Sequence, residues 1–124
     1  MSNMKRAMQK KLLFRLGFGL IFLSSAVQAF VAPGEFRELV AKLPMLPQLI
    51  DPALFVKLIG VNDLVLFVLI LSGKWPRLVG LWAGLWIVGV IIAQGIWTSE
   101  TIFHLGIVAL AVYHAAPSQS RKAT

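Results

Sequence analysis

Few residues of this chain can do chemistry, and most of them lie inside apolar runs. Asp63 is the extreme case. Ala53 to Leu71 is apolar apart from Lys57, Asn62 and Asp63. As a helix this run spans about 28 Å, close to the ~30 Å hydrocarbon core of a bilayer. Asp63 then lies about 15 Å from the Ala53 end, near mid-depth. A charged side chain there costs ~2.5–3.5 kcal/mol or more unless it faces protein and finds a partner. Asn62 beside it can donate a hydrogen bond. The basic candidate is Arg15, one turn inside the inner boundary of the first apolar run. Its axial gap to Asp63 is about 10 Å, which a long guanidinium on a tilted helix could largely close. The expected buried polar pair is therefore Arg15 and Asp63.

Gln28, Lys57, Gln94 and His104 come from four different runs. Each counts to about 4–6 Å below the same outer boundary. If they face inward they line a polar vestibule with Asn62 and Asp63 as its floor. The competing reading is that they snorkel to the headgroups and need no function. His104 and His114 are both on the last run, about 15 Å apart, so they cannot share one metal or haem within a monomer. With only these two His and no Cys, no metal site is expected. No nucleophile–base set, Gly-rich phosphate loop or metalloprotease spacing occurs. A catalytic constellation is therefore absent from the sequence, and a non-enzyme is the expectation.

The whole composition demands lipid. Of 124 residues, 58% are hydrophobic and 14% charged, with mean hydropathy +0.81. A soluble domain of this size has too little interior for them. The net charge is +7, but the basic residues sit at the ends of apolar runs, as membrane orientation requires, and form no stripe for nucleic acid. The absence of Cys excludes disulfides and thiolate ligands within the chain.

The elements that must position these residues follow in order. Residues 1–11 carry four basic side chains and no acid, which reads as a cytoplasmic tail at the membrane surface. A four-helix transmembrane domain is expected over 12–116, with spans at 12–31, 53–71, 78–97 and 101–116, and a second cytoplasmic tail at 117–124. The first span could instead be a signal peptide, since Val27-Gln28-Ala29 resembles a cleavage site. Its apolar run exceeds the usual ~7–15 residues and Arg15 interrupts it, so a retained helix is expected. Between the first two spans, Phe36, Leu39, Val40 and Leu43 fall at helical spacing, opposite Glu35, Arg37, Glu38 and Lys42. That predicts a short amphipathic helix at the interface, stopped by Pro44. Asp51 and Pro52 are a good N-cap and first helical residue for the second span, and Gly73 a good stop. Gly80 and Gly84 form GxxxG in the third span, with Ala111 and Ala115 offering a small surface in the fourth. Trp75 and Trp97 bracket the third span as interfacial anchors, and Thr98-Ser99-Glu100 reads as a cap and turn. The fold class is all-α, a membrane-spanning four-helix bundle.

With both termini inside, nine of the twelve basic residues face the cytoplasm: Lys5, Arg6, Lys10, Lys11, Arg15, Lys74, Arg77, Arg121 and Lys122. The opposite orientation violates the positive-inside bias. The expected location is a bacterial-type inner membrane, crossed several times.

Leu13-Phe14-Arg15-Leu16-Gly17 with Ile21-Phe22-Leu23-Ser24-Ser25, and Gly60-Val61-Asn62-Asp63-Leu64 followed by Leu69 to Arg77, resemble the first two helices and basic turn of DoxX-type small membrane proteins. The likeness covers about Leu12 to Gln94, and its motifs are loose. It implies a four-helix membrane protein, with Arg15 and Asp63 at the family's arginine and acid positions. The acid here is Asp rather than the usual Glu, and Gln28 stands where Lys is common. The resemblance also implies a link to quinone or thiosulfate oxidoreductases or oxidative-stress complexes, and a quinone as the one cofactor to consider. The leading expectation is an accessory or structural subunit of a membrane complex, redox-linked by the resemblance, with other membrane subunits or its own copies as partners. The alternative is a small transporter, or a quinone- or lipid-binding protein, using the vestibule that ends at Asp63.

Overall fold

A computed structural model describes residues 2–94 and 99–117. They form six helices: α1 (Asn3–Val31), α2 (Gly34–Ala41), α3 (Leu46–Leu49), α4 (Pro52–Ser72), α5 (Pro76–Gln94) and α6 (Ser99–Ala115). No strand occurs among the described residues. The chain divides into two compact units, Met1–Gly73 and Lys74–Thr124.

In the first unit α1 packs along α4. Contacts along their length fix an antiparallel register. Ala29 and Phe30 meet Gly60, Ser25 meets Asp63, Gly19 meets Phe67, and Arg15 meets Gly73. The buried face of α4 is Val56, Gly60, Asp63, Leu66 and Ile70, and that of α1 is Phe18, Gly19, Phe22, Ala26 and Ala29. Spacings of three and four residues keep each set on one stripe. Gly60 permits a close approach, because a Cβ there would lie 2.8 Å from the Phe30 ring and 3.2 Å from the Ala29 Cβ.

α1 begins earlier than expected. The basic segment read as a tail is helical from Asn3 and continuous with the span, and the Ser2 hydroxyl accepts from the Lys5 N–H at 3.3 Å. No Gly or Pro occurs between Ser2 and Arg15 to stop it. The amphipathic helix forms as α2, with Val40 buried in a cluster with Ala29 and Val56, joined by Phe36, Leu46, Phe55 and Ile59. The short α3 has no counterpart in the sequence pattern. It follows Met45 at φ 67°, a left-handed conformation that sequence pattern does not assign to Met. Asp51 occupies the N-cap of α4, but its side chain makes no capping hydrogen bond; its carbonyl accepts from Phe55. Pro52 opens the helix, and Gly73 closes it at φ 72°.

In the second unit α5 packs on α6. Gly80 makes this possible: a Cβ there would lie 2.6 Å from the Ala115 Cβ and 2.7 Å from the Ala111 carbonyl oxygen. Gly84 faces the Ala111 Cβ at a looser 3.6 Å. The glycine pair and the two alanines thus meet each other. Trp97 and Thr98 lie outside the described residues, as does 118–124.

Three helices, α1, α4 and α5, are long and apolar enough to cross a membrane. α6 has 17 residues, about 26 Å, and falls short of the ~30 Å core. Only 28% of the most apolar window of each crossing helix is buried in protein. The remainder is apolar surface that lipid covers.

Candidate functional site

The most unusual side chain of the first unit is Asp63, 2% exposed on the face of α4 that meets α1. Its neighbours along that stripe are Gly60 and Leu66, so the helix aims the carboxylate at α1 and away from lipid. The Ser25 hydroxyl, from α1, donates to Oδ2 at 2.6 Å. The Asn62 amide donates to Oδ1 at 3.2 Å. Both oxygens are thereby satisfied. The Ser25 bond is the interhelical one, and such bonds in membranes contribute roughly 0.6–2 kcal/mol. With the Asn62 bond made within α4, it offsets part of the ~2.5–3.5 kcal/mol that a mid-depth carboxylate costs. The cluster fixes which residue of α1 lies opposite which residue of α4, since a slip of one residue separates Ser25 from Asp63.

The expected Arg15–Asp63 pair is not formed. Arg15 sits at the other end of α4, its guanidinium over Gly73, where an added Cβ would lie 2.6 Å from Nη1 and 2.7 Å from Nη2. That is ten residues, about 15 Å, along α4 from Asp63. Arginine side chains on a helix lean toward its N-terminus, which carries this one away from mid-depth and toward the membrane surface. The residue that sequence reasoning misses is Ser25. It reads as one polar exception in an apolar run, and only the α1–α4 register shows its partner.

The vestibule residues divide between the units. In the first, the Gln28 amide donates to Glu35 at 3.1 Å, tying the end of α1 to the start of α2. Lys57 is exposed, one residue off the buried stripe of α4. Asn62 is engaged with Asp63. In the second unit, Gln94 ends α5 and His104 lies in the second turn of α6. Their Oε1 and Nδ1 atoms are enclosed and have no hydrogen-bond partner among the described residues. The His104 ring stands edge-on to Phe103 at 5.4 Å. Thr101, one turn before it, is buried. His114, near the end of α6, is also buried. Among the described residues, no group of three His, Asp or Glu could hold a metal ion.

The family model for the methylamine utilisation protein MauE matches residues 9–101, from α1 into the start of α6. No curated protein and no solved structure matches the chain. The family shown is thus a small membrane protein family other than the DoxX type to which the two helix motifs were likened. With the match spanning most of the 124 residues and three helices fit to cross a bilayer, the chain is a multi-pass membrane protein and belongs to the MauE family.

Proposed function

We propose that this chain is an accessory subunit of a membrane-bound, redox-linked system of methylamine utilisation, working by presenting a rigid helical surface to other membrane subunits. The observation that carries this reading is the MauE match over residues 9–101. In this reading α6 is the fourth span, both termini are cytoplasmic and the membrane is a bacterial inner membrane, as the distribution of basic residues favours. The Ser25–Asp63 bond holds α1 on α4 so that the outer faces of both keep a fixed shape. Deleting the gene from its host should abolish growth on methylamine while sparing growth on ammonium, and the wild-type gene should restore it. Growth on methylamine that survives the deletion removes this function.

A second reading is favoured by Gln94 Oε1 and His104 Nδ1, which are enclosed and have no hydrogen-bond partner among the described residues. Unsatisfied enclosed polar atoms are costly and suit a ligand that supplies the missing partner. A quinol hydroxyl could donate to Gln94 Oε1 while His104 bonds a second oxygen. Gln94→Leu and His104→Leu should each weaken quinone binding about tenfold, the equivalent of one hydrogen bond. Binding unchanged in both variants excludes the site.

A further inference from the structure

α1 is longer than a bilayer requires. Its 29 residues measure about 43 Å against a ~30 Å core. The excess lies at one end. Every residue from Ser2 to Leu13 is exposed, and the first buried one is Phe18. α4, running the other way, stops at Gly73, level with the Arg15 guanidinium. Asn3 to Leu13 therefore projects past the end of α4 by about 16 Å.

This projection carries Lys5, Arg6, Lys10 and Lys11 and no acid. Arg15 stands at its root, half-buried, and forms no hydrogen bond or ion pair among the described residues. Lys11 and Arg15 are one turn apart on the same helix face, where like charges repel. The acids of this unit are all elsewhere. Glu35 and Glu38 belong to α2 and Asp51 precedes α4, all at the far end of α1, and Asp63 is enclosed with Ser25. The unit thus gathers five cations at one end and supplies no counter-charge there.

We infer that Lys11 and Arg15, flanked by Lys10, seat the phosphate of an anionic phospholipid in the leaflet where α4 ends. The depth selects lipid over other anions. Arg15 lies where the apolar run of α4 stops, which is the phosphate level of a bilayer, and Leu16 and Leu20 on its membrane side are exposed to receive acyl chains. One phosphate between two cations relieves their repulsion. It also gives the guanidinium the paired acceptor geometry it prefers. The remaining basic side chains of the projection lie along the anionic surface.

The test uses the full chain in phosphatidylcholine vesicles containing spin-labelled phosphatidylglycerol or spin-labelled phosphatidylcholine. The fraction of label immobilised at the protein gives the selectivity. The wild type should favour phosphatidylglycerol by about threefold or more, and high salt should reduce this. Arg15→Gln with Lys11→Gln should bring the ratio close to one, and Arg15→Lys should retain most of it. Lys10→Gln with Lys11→Gln changes only exposed side chains, leaves folding intact and should still lower the ratio. Equal association of the two lipids with the wild type overturns the inference. So does a preference that survives both double neutralisations, and so does an acidic protein segment displacing the lipid from Arg15.

Discussion

At the scale of single residues, the account turns on two serines that look alike in sequence. Ser24 is exposed, whereas Ser25 donates to a buried carboxylate. Ser25→Ala should therefore cost about 1 kcal/mol, within the ~0.6–2 kcal/mol range of interhelical bonds in membranes. Ser24→Ala should cost nothing measurable. Thermal unfolding of the two variants in the same detergent checks this, and equal midpoints would contradict it. Gly73 is a second sensitive position. Its φ of 72° disfavours any side chain, and a Cβ there meets the Arg15 guanidinium. Gly73→Ala should destabilise by ~1–2 kcal/mol from the backbone alone, and the effect should persist in an Arg15→Gln background, though reduced. Full rescue by Arg15→Gln would show that the conformation carries no strain.

At the scale of elements, the glycines separate into those that let helices touch and those that do not. Gly80 abuts Ala111 and Ala115, and Gly89 has nothing within 4 Å. Gly80→Ala should lower stability by roughly 1–3 kcal/mol through overpacking against backbone. Gly89→Ala should be neutral or stabilising, since Ala is the better helix former by about 1 kcal/mol. Reversed midpoints in thermal unfolding would contradict the α5–α6 packing. Several of these elements are legible in the amino-acid order itself. The GxxxG pattern, the Pro52 start, the Gly73 stop and the face of α2 are local signals, each set by residues within one or two turns. Asp63 is legible as a buried group because bilayer depth follows from counting. Its partner is not. Choosing Ser25 over Arg15 requires the stagger of α1 against α4, and stagger comes from Gly19, Gly60 and the ring of Phe67 fitting together, which no count along one helix reveals. α3 escapes because it follows a left-handed residue at Met45, a conformation that this residue type does not signal.

At the scale of the whole molecule, the absence of Cys from the sequence makes orientation directly measurable. Single cysteines at exposed Ser2 and exposed Glu38 should label from opposite sides of the membrane, with Ser2 reached only after the cytoplasmic side is opened. Labelling of both from one side would overturn the proposed arrangement. The central claim is that α1 and α4 lie antiparallel inside the bilayer in the register that brings Ser25 to Asp63. The Ala29→Cys/Gly60→Cys pair tests it most directly while leaving that bond intact. The Ala29 Cβ and a Cβ at position 60 are 3.2 Å apart, near the ~3.5–4.5 Å of a disulfide, and the neighbouring Phe30 ring is half-exposed and free to turn aside. Mild oxidation in native membranes should cross-link this pair within the chain and leave an Ala29→Cys/Val61→Cys control largely reduced. Equal cross-linking of the two pairs, or none in the first, would contradict the account.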